Sequence, residues 1–196
     1  MSSPIEPSFS ALLVRHLYHR EAGGRFGIER QFRVRYFIDL MGAVHIEEDL
    51  EVLSPRLASA LERVAGSEAE VAGPKRGNGI LIRDVARRLG RASALVRDEP
   101  LFDRWIEGVL TPGATVVLVD DVSSDGQLLA QAALRLRTSG HSVDTCVVLV
   151  DRPEGDSKER LAEIGVELVP VYQLSDEELS VMEADRRAGR APRTEE

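Results

Sequence analysis

Asp120 and Asp121 stand side by side after four consecutive apolar residues, Val116, Val117, Leu118 and Val119, and a polar run from Ser123 to Gln127 follows them. Adjacent carboxylates at the end of an apolar run can hold the hydroxyls of a polyol. A glycine turn opening a helix presents backbone N–H groups suited to an anion. Residues 116–128 therefore offer one half to a polyol and the other to a phosphate. The same pattern also describes a strand whose acidic end only caps the next helix, and residue types leave these readings balanced. A second group, Lys75 and Arg76, lies between glycines in GPKRGNG, where backbone can approach an anion closely while the side chains neutralise it. An ordinary strand-to-helix turn with solvated basic residues is the other reading there. His16 and His19 are three apart but have no acidic or cysteine partner at ligand spacing, so no metal site is assigned to them. Cys146, the only cysteine, sits in an apolar run; that excludes a disulfide framework and predicts a buried, inert thiol.

These residues need elements to hold them. The run at 116–119 predicts a buried strand, with Asp120 and Asp121 leaving it where backbone pairing stops, and 128–137 predicts a helix ending near Ser139-Gly140. Upstream, 70–73 and 93–96 read as strands and 80–89 as an amphipathic helix; downstream, 142–150 and 166–171 read as strands around a helix at 158–164. The alternation predicts an α/β fold with a central, mainly parallel sheet flanked by helices. Nearer the start, Leu12, Leu13 and Leu17 predict a helix over 8–20 behind a serine cap. After Gly23-Gly24, the residues Phe26, Ile28, Phe32, Val34 and Tyr36 share one parity and predict strands with a solvated face over 26–40. Residues 48–65 read as a crossover helix with Ser54-Pro55 as an internal start, 174–182 as a short closing segment, and 185–196 as a charged, frayed tail. With no repeat or linker, residues 1–184 are expected to form one domain.

The stretch VVLVDDVSSDGQ resembles the signature of the type I phosphoribosyltransferases. Three further stretches, GRFGIERQFRVRYFIDL, VAGPKRGNGILI and VVLVDRPEG, narrow the likeness to the orotate phosphoribosyltransferases across roughly residues 20–175. The resemblance implies that Asp120 and Asp121 hold the ribose hydroxyls of phosphoribosyl pyrophosphate, directly or through Mg²⁺. It implies that Ser123, Ser124, Asp125, Gly126, Gln127 and Leu128 wrap its 5′-phosphate and that Lys75 and Arg76 take the pyrophosphate. A small N-terminal β hood, residues 20–45, would cover the base with Tyr36 and Phe37, near Arg30, while Arg152 contacts the ring. Arg97 and Arg104 would assist displacement at the anomeric carbon, and a homodimer is implied.

The sequence also departs from that pattern. The loop expected to carry lysines reads VRDEPLFDRWIEGVL, in which Asp98 and Asp103 oppose the charge that develops on a leaving pyrophosphate. Asp125 occupies a phosphate-facing position, unless it turns to cap the helix, and Leu128 replaces a small residue. Glu29 lies beside Arg30 where the family places a lysine. The expected activity is therefore phosphoribosyl transfer to or from a pyrimidine-like base other than orotate. A phosphoribosyltransferase-fold protein that binds a nucleotide-like ligand or a protein partner without transfer is the alternative.

A chain of 196 residues that is 43% hydrophobic can bury one sizeable core. Its formal charge of −8 opposes a general nucleic-acid binder, which needs a basic face. No run approaches the roughly 20 apolar residues of a membrane span, and MSSPIEPSFS lacks the charged and apolar regions of a signal peptide. A cytoplasmic protein with no membrane partner is expected.

Overall fold

The computed structural model describes residues 5–19, 35–76 and 78–188. Most of the expected hood, including Glu29 and Arg30, lies outside the described residues, as does 189–196 of the expected tail.

Helix α1 (Pro7–Arg15) starts on Pro7, whose missing N–H is harmless in a first turn, and buries Phe9, Leu12 and Leu13. It ends at His16, earlier than the leucine spacing predicts, and Ser8 lies inside it rather than capping it. Leu17–His19 instead forms β1, antiparallel to β2 (Tyr36–Ile38). His16 and His19 consequently do not share a helix face: His16 Nε2 lies 3.0 Å from Asp49, and the His19 ring stacks on Tyr36. Helix α2 (Leu40–Ala43) is capped by Asp39, which accepts from the Gly42 N–H. Helix α3 (Glu47–Val64) runs unbroken through Pro55, so Ser54-Pro55 is not a start. Ser54 Oγ donates to the Leu50 carbonyl and the Arg56 guanidinium to that of Val52, on either side of the carbonyl that Pro55 leaves without its usual N–H.

The remaining elements alternate: β3 (Glu70–Pro74), α4 (Gly79–Leu89), β4 (Ser93–Leu101), β5 (Arg104–Gly108), β6 (Thr115–Ser123), α5 (Gln127–Thr138), β7 (Ser142–Asp151), α6 (Ser157–Glu163), β8 (Glu167–Gln173) and α7 (Asp176–Arg187). The six-stranded sheet has the order β5-β4-β3-β6-β7-β8, parallel except for the antiparallel pair β4–β5. Period-two alternation sends side chains to both faces. Val117, Val119, Val147 and Leu149 join a core with Leu57 of α3 and Leu81, Ile82 and Val85 of α4. Val116, Leu118, Cys146 and Val148 join another with Leu129, Ala133 and Leu136 of α5 and Leu161 of α6. Cys146 is fully buried, and burial pushes its thiol well above the usual range.

Three further expectations need correction. The strand expected at 93–96 continues to Leu101 and returns as β5, so the segment read as a short loop is a hairpin. Phe102 and Asp103 make its turn with φ of 49° and 62°, the left-handed pair that matches strand twist. Arg135 of α5 fastens this hairpin, donating to the carbonyls of Arg97 and Asp98 at 2.6 and 2.8 Å while stacking over Trp105. Second, α7 extends to Arg187 behind a Ser175/Glu178 capping box, so residues 185–187 are helical rather than frayed. Third, β6 keeps pairing with β7 through Ser123; only on the β3 side does its pairing stop, at Leu118.

Candidate active site

β3 and β6 are neighbours, yet the helices they feed cover opposite faces of the sheet, α4 one and α5 the other. Divergence of this kind opens a crevice at the carboxyl ends of the strands. A cavity of about 200 Å³ occupies it. Its walls come from the β3–α4 turn (Pro74, Arg76, Asn78), the end of β6 and the loop after it (Asp120 to Gly126), the start of α5 (Leu128, Leu129), the hood side (Phe37, Ile38, Asp39, Met41) and Arg152.

Asp120 and Asp121 are both buried there, 7% and 8% exposed. The side-chain N–H₂ of Asn78 donates to both, at 3.0 Å to Asp121, and the backbone N–H groups of Asp121 and Val122 donate to Asp120 and Asp121 at 3.1 and 2.7 Å. Burial, with the neighbouring Asp121 carboxylate, pushes Asp120 well above the usual carboxylate range. Burial pushes Asp121 up as well, against the pull of the Asn78 amide and the Val122 N–H. Two buried acids resisting ionisation are poised to accept a positive charge or the hydroxyls of a polyol.

The loop after β6 is held from below by the turn between β7 and α6. The Arg152 N–H donates to the Ser123 carbonyl at 2.8 Å and Arg160 Nε to the Asp125 carbonyl at 2.6 Å. Gly155 fits only because it lacks a side chain: a Cβ there would lie 1.8 Å from the Ser124 oxygen. Gly126, at φ +64°, turns the loop into α5 with its back against Ser157. Asp125 lines the cavity, and its carboxylate accepts from the Gln127 N–H at 3.0 Å, one residue ahead of the Gly126 N-cap. Ser123 Oγ is buried, lines the cavity and has no hydrogen-bond partner.

The other expected site residues are distributed unevenly. Phe37 faces the cavity, whereas the Tyr36 ring stacks on His19 and its hydroxyl donates to Glu183 at 3.1 Å; the expected aromatic pair is divided. Arg152 reaches the cavity, but its Nε, Nη1 and Nη2 donate to the Leu174 carbonyl, the Tyr36 carbonyl and Asp176 at 2.8, 2.7 and 2.6 Å. Arg76 pairs with Asp98 at the cavity edge. Lys75 and Arg97, outside the lining, converge on Glu107 at 2.7 and 2.5 Å, and these cations hold the Glu107 carboxyl below its ordinary range. Arg104 lies on the exposed hairpin and Gln127 in the first turn of α5, neither lining the cavity. Sequence reasoning missed Asn78, Asp39, Met41 and Arg160. Of these Asn78 had a signal, since Asn directly before an apolar periodic run is an N-cap residue type.

No family model matches the chain. It is 30% identical to the orotate phosphoribosyltransferase of Methanocaldococcus jannaschii over 156 residues, 78% of this chain and 86% of that one. It is 31% identical to the orotate phosphoribosyltransferase of Halobacterium salinarum over the same shares. Among solved structures, the orotate phosphoribosyltransferase of Aeropyrum pernix superposes with a TM-score of 0.68 at 26% identity, covering 92% of this chain and 98% of that one. That of Mycobacterium tuberculosis, in complex with inorganic phosphate, has the same fold, with a TM-score of 0.69 at 20% identity over 89% and 91% of the two chains. With an acidic pair at the switch point of a mainly parallel sheet and relatives at this identity along most of its length, the chain belongs to the orotate phosphoribosyltransferase family.

Proposed function

We propose that the chain transfers a phosphoribosyl group between phosphoribosyl pyrophosphate and a pyrimidine-like base, with specificity shifted away from orotate. One observation carries the reading: the buried acidic pair, the anion-suited loop at 123–126 and the base-side residues Phe37 and Arg152 line a single cavity. In this reading Asp120 and Asp121 hold the ribose hydroxyls and the N–H groups at the start of α5 take the 5′-phosphate. The bond from the anomeric carbon to the pyrophosphate oxygen breaks, its electron pair leaving on pyrophosphate, as the bond to the base nitrogen forms. Catalysis is chiefly positioning and charge stabilisation. The donor set fits Mg²⁺, since the buried carboxylates and the unpartnered Oδ1 of Asn78 are hard oxygen ligands. When bound, the ion neutralises charge on the diphosphate.

The shift away from orotate rests on charge. Among the described residues, Asp39, Asp120, Asp121 and Asp125 line the cavity against Arg76 and Arg152 as the only cations, and each of those arginines is already paired with a carboxylate. An anionic base meets repulsion that a neutral pyrimidine does not. A second reading, binding without transfer, draws on the pairing of Lys75, Arg76 and Arg97 with Glu107 and Asp98, which engages these three expected cations with carboxylates. Purified protein with phosphoribosyl pyrophosphate, Mg²⁺ and a panel of pyrimidine and purine bases separates them. Pyrophosphate release with a neutral pyrimidine supports the first reading; ligand binding without release supports the second; rapid turnover of orotate overturns the specificity. A homodimer, carried over from the family resemblance, is tested by sedimentation.

A further inference from the structure

Asn78 is 3% exposed, and its amide is used on one side only. Nδ2 bridges the carboxylates of Asp120 and Asp121, whereas Oδ1 is buried without a hydrogen-bond partner. A buried acceptor left unmet is costly, and native structures keep few of them without a reason. Here the unmet oxygen belongs to a side chain in the cavity wall, in contact with two carboxylates from another strand. No three His, Cys, Asp or Glu side chains among the described residues gather as a metal site, so a third side-chain ligand for a cation at the acidic pair would be of another residue type.

We propose that Asn78 supplies that oxygen, as a third protein ligand for a hard divalent cation bound by Asp120 and Asp121. The inference rests on the reading of the acidic pair given above. An amide is suited to the task because a half-turn about χ2 exchanges its ends. Its N–H₂ bridges two carboxylates that face each other alone, and its carbonyl stands beside them once a cation takes up their charge. The swap gives up hydrogen bonds to the carboxylates and relieves the unmet oxygen. A hydroxyl, with one proton, could not bridge both carboxylates, an apolar residue could serve neither state, and an acid would add a third negative charge to the pair.

The test uses Mn²⁺ titrated into the full chain, with free ion counted by electron paramagnetic resonance, without and with phosphoribosyl pyrophosphate. Asn78→Ala is expected to weaken Mn²⁺ binding by about tenfold or more, since loss of even an outer partner of a metal ligand costs about that much. Asn78→Asp, which keeps an oxygen and nearly the same shape, is expected to bind within a few-fold of the wild type. In the wild type, Mg²⁺ should shift the side-chain amide resonances of Asn78, a readout that does not depend on a variant folding. Wild-type affinity in Asn78→Ala, or equal weakening in both variants, overturns the ligand role; the second outcome would make Asn78 only a donor to the carboxylates. The acidic-pair reading stands or falls separately, on whether Asp120→Asn with Asp121→Asn abolishes Mn²⁺ binding.

Discussion

Arg152 and Asp176 meet at 2.6 Å beneath the cavity, with Arg152 only 2% exposed, and the same guanidinium donates to carbonyls on β2 and just before α7. This arginine therefore ties the hood strand to the closing helix. Removing one partner of a buried pair strands the other charge, so Arg152→Ala is expected to cost about 3–5 kcal/mol in urea unfolding. Arg152→Met with Asp176→Leu should recover part of that loss. If the single variant unfolds like the wild type, the guanidinium is not the tie it is taken for.

The acidic pair carries a pH signature. Both carboxyls are raised in the folded chain. Their contribution to stability is therefore greatest in acid and declines as pH rises from the unfolded value of about 4 through the folded ones. Asp120→Asn with Asp121→Asn removes that decline. Its melting temperature should exceed the wild type's by a few degrees at pH 8, and the two curves should converge at acid pH.

Glu107 holds Lys75 and Arg97 together at the edge of the sheet. Replacing it with glutamine frees both cations for an anion. Isothermal titration with pyrophosphate should show several-fold tighter binding to Glu107→Gln, and the gain should shrink as salt rises from about 0.02 M to about 0.3 M. A variant with unchanged affinity would place these cations outside the anion's reach.

Asp84 links α3 to α4. Burial works against its charge, but hydrogen bonds from Ser54, Arg88 and Arg87 prevail and bring its carboxyl from 3.8 down to about 2. A carboxyl lowered in the folded chain stabilises it above the unfolded value. Asp84→Asn should thus lose about 1–2 kcal/mol at pH 7, and the difference should fade as pH falls from about 4 to about 2.

The alternation of apolar strands and amphipathic helices was enough to find the sheet and the acidic pair, because both are local patterns in 116–128 and its neighbours. Long-range partners were not legible. Nothing around His16 announces the end of α1, because β1 there pairs with Tyr36–Ile38, which are distant in sequence. The hairpin escaped notice because its turn uses Phe102 and Asp103 in a left-handed conformation usually marked by Asn-Gly or Gly. Arg152 could be picked out by its motif, but its acceptors lie on β2 and beside α7, and only folding brings them to it.

The stack of Arg135 over Trp105 gives the chain an optical reporter of its own. Trp105 is the sole tryptophan, so the indole emission of the whole protein arises from one ring on the hairpin, 4.3 Å beneath a guanidinium carried by α5. The first turn of that helix borders the cavity. A ligand that draws α5 toward itself moves a positive charge across the face of the fluorophore, and its capture can be followed in the unlabelled wild type.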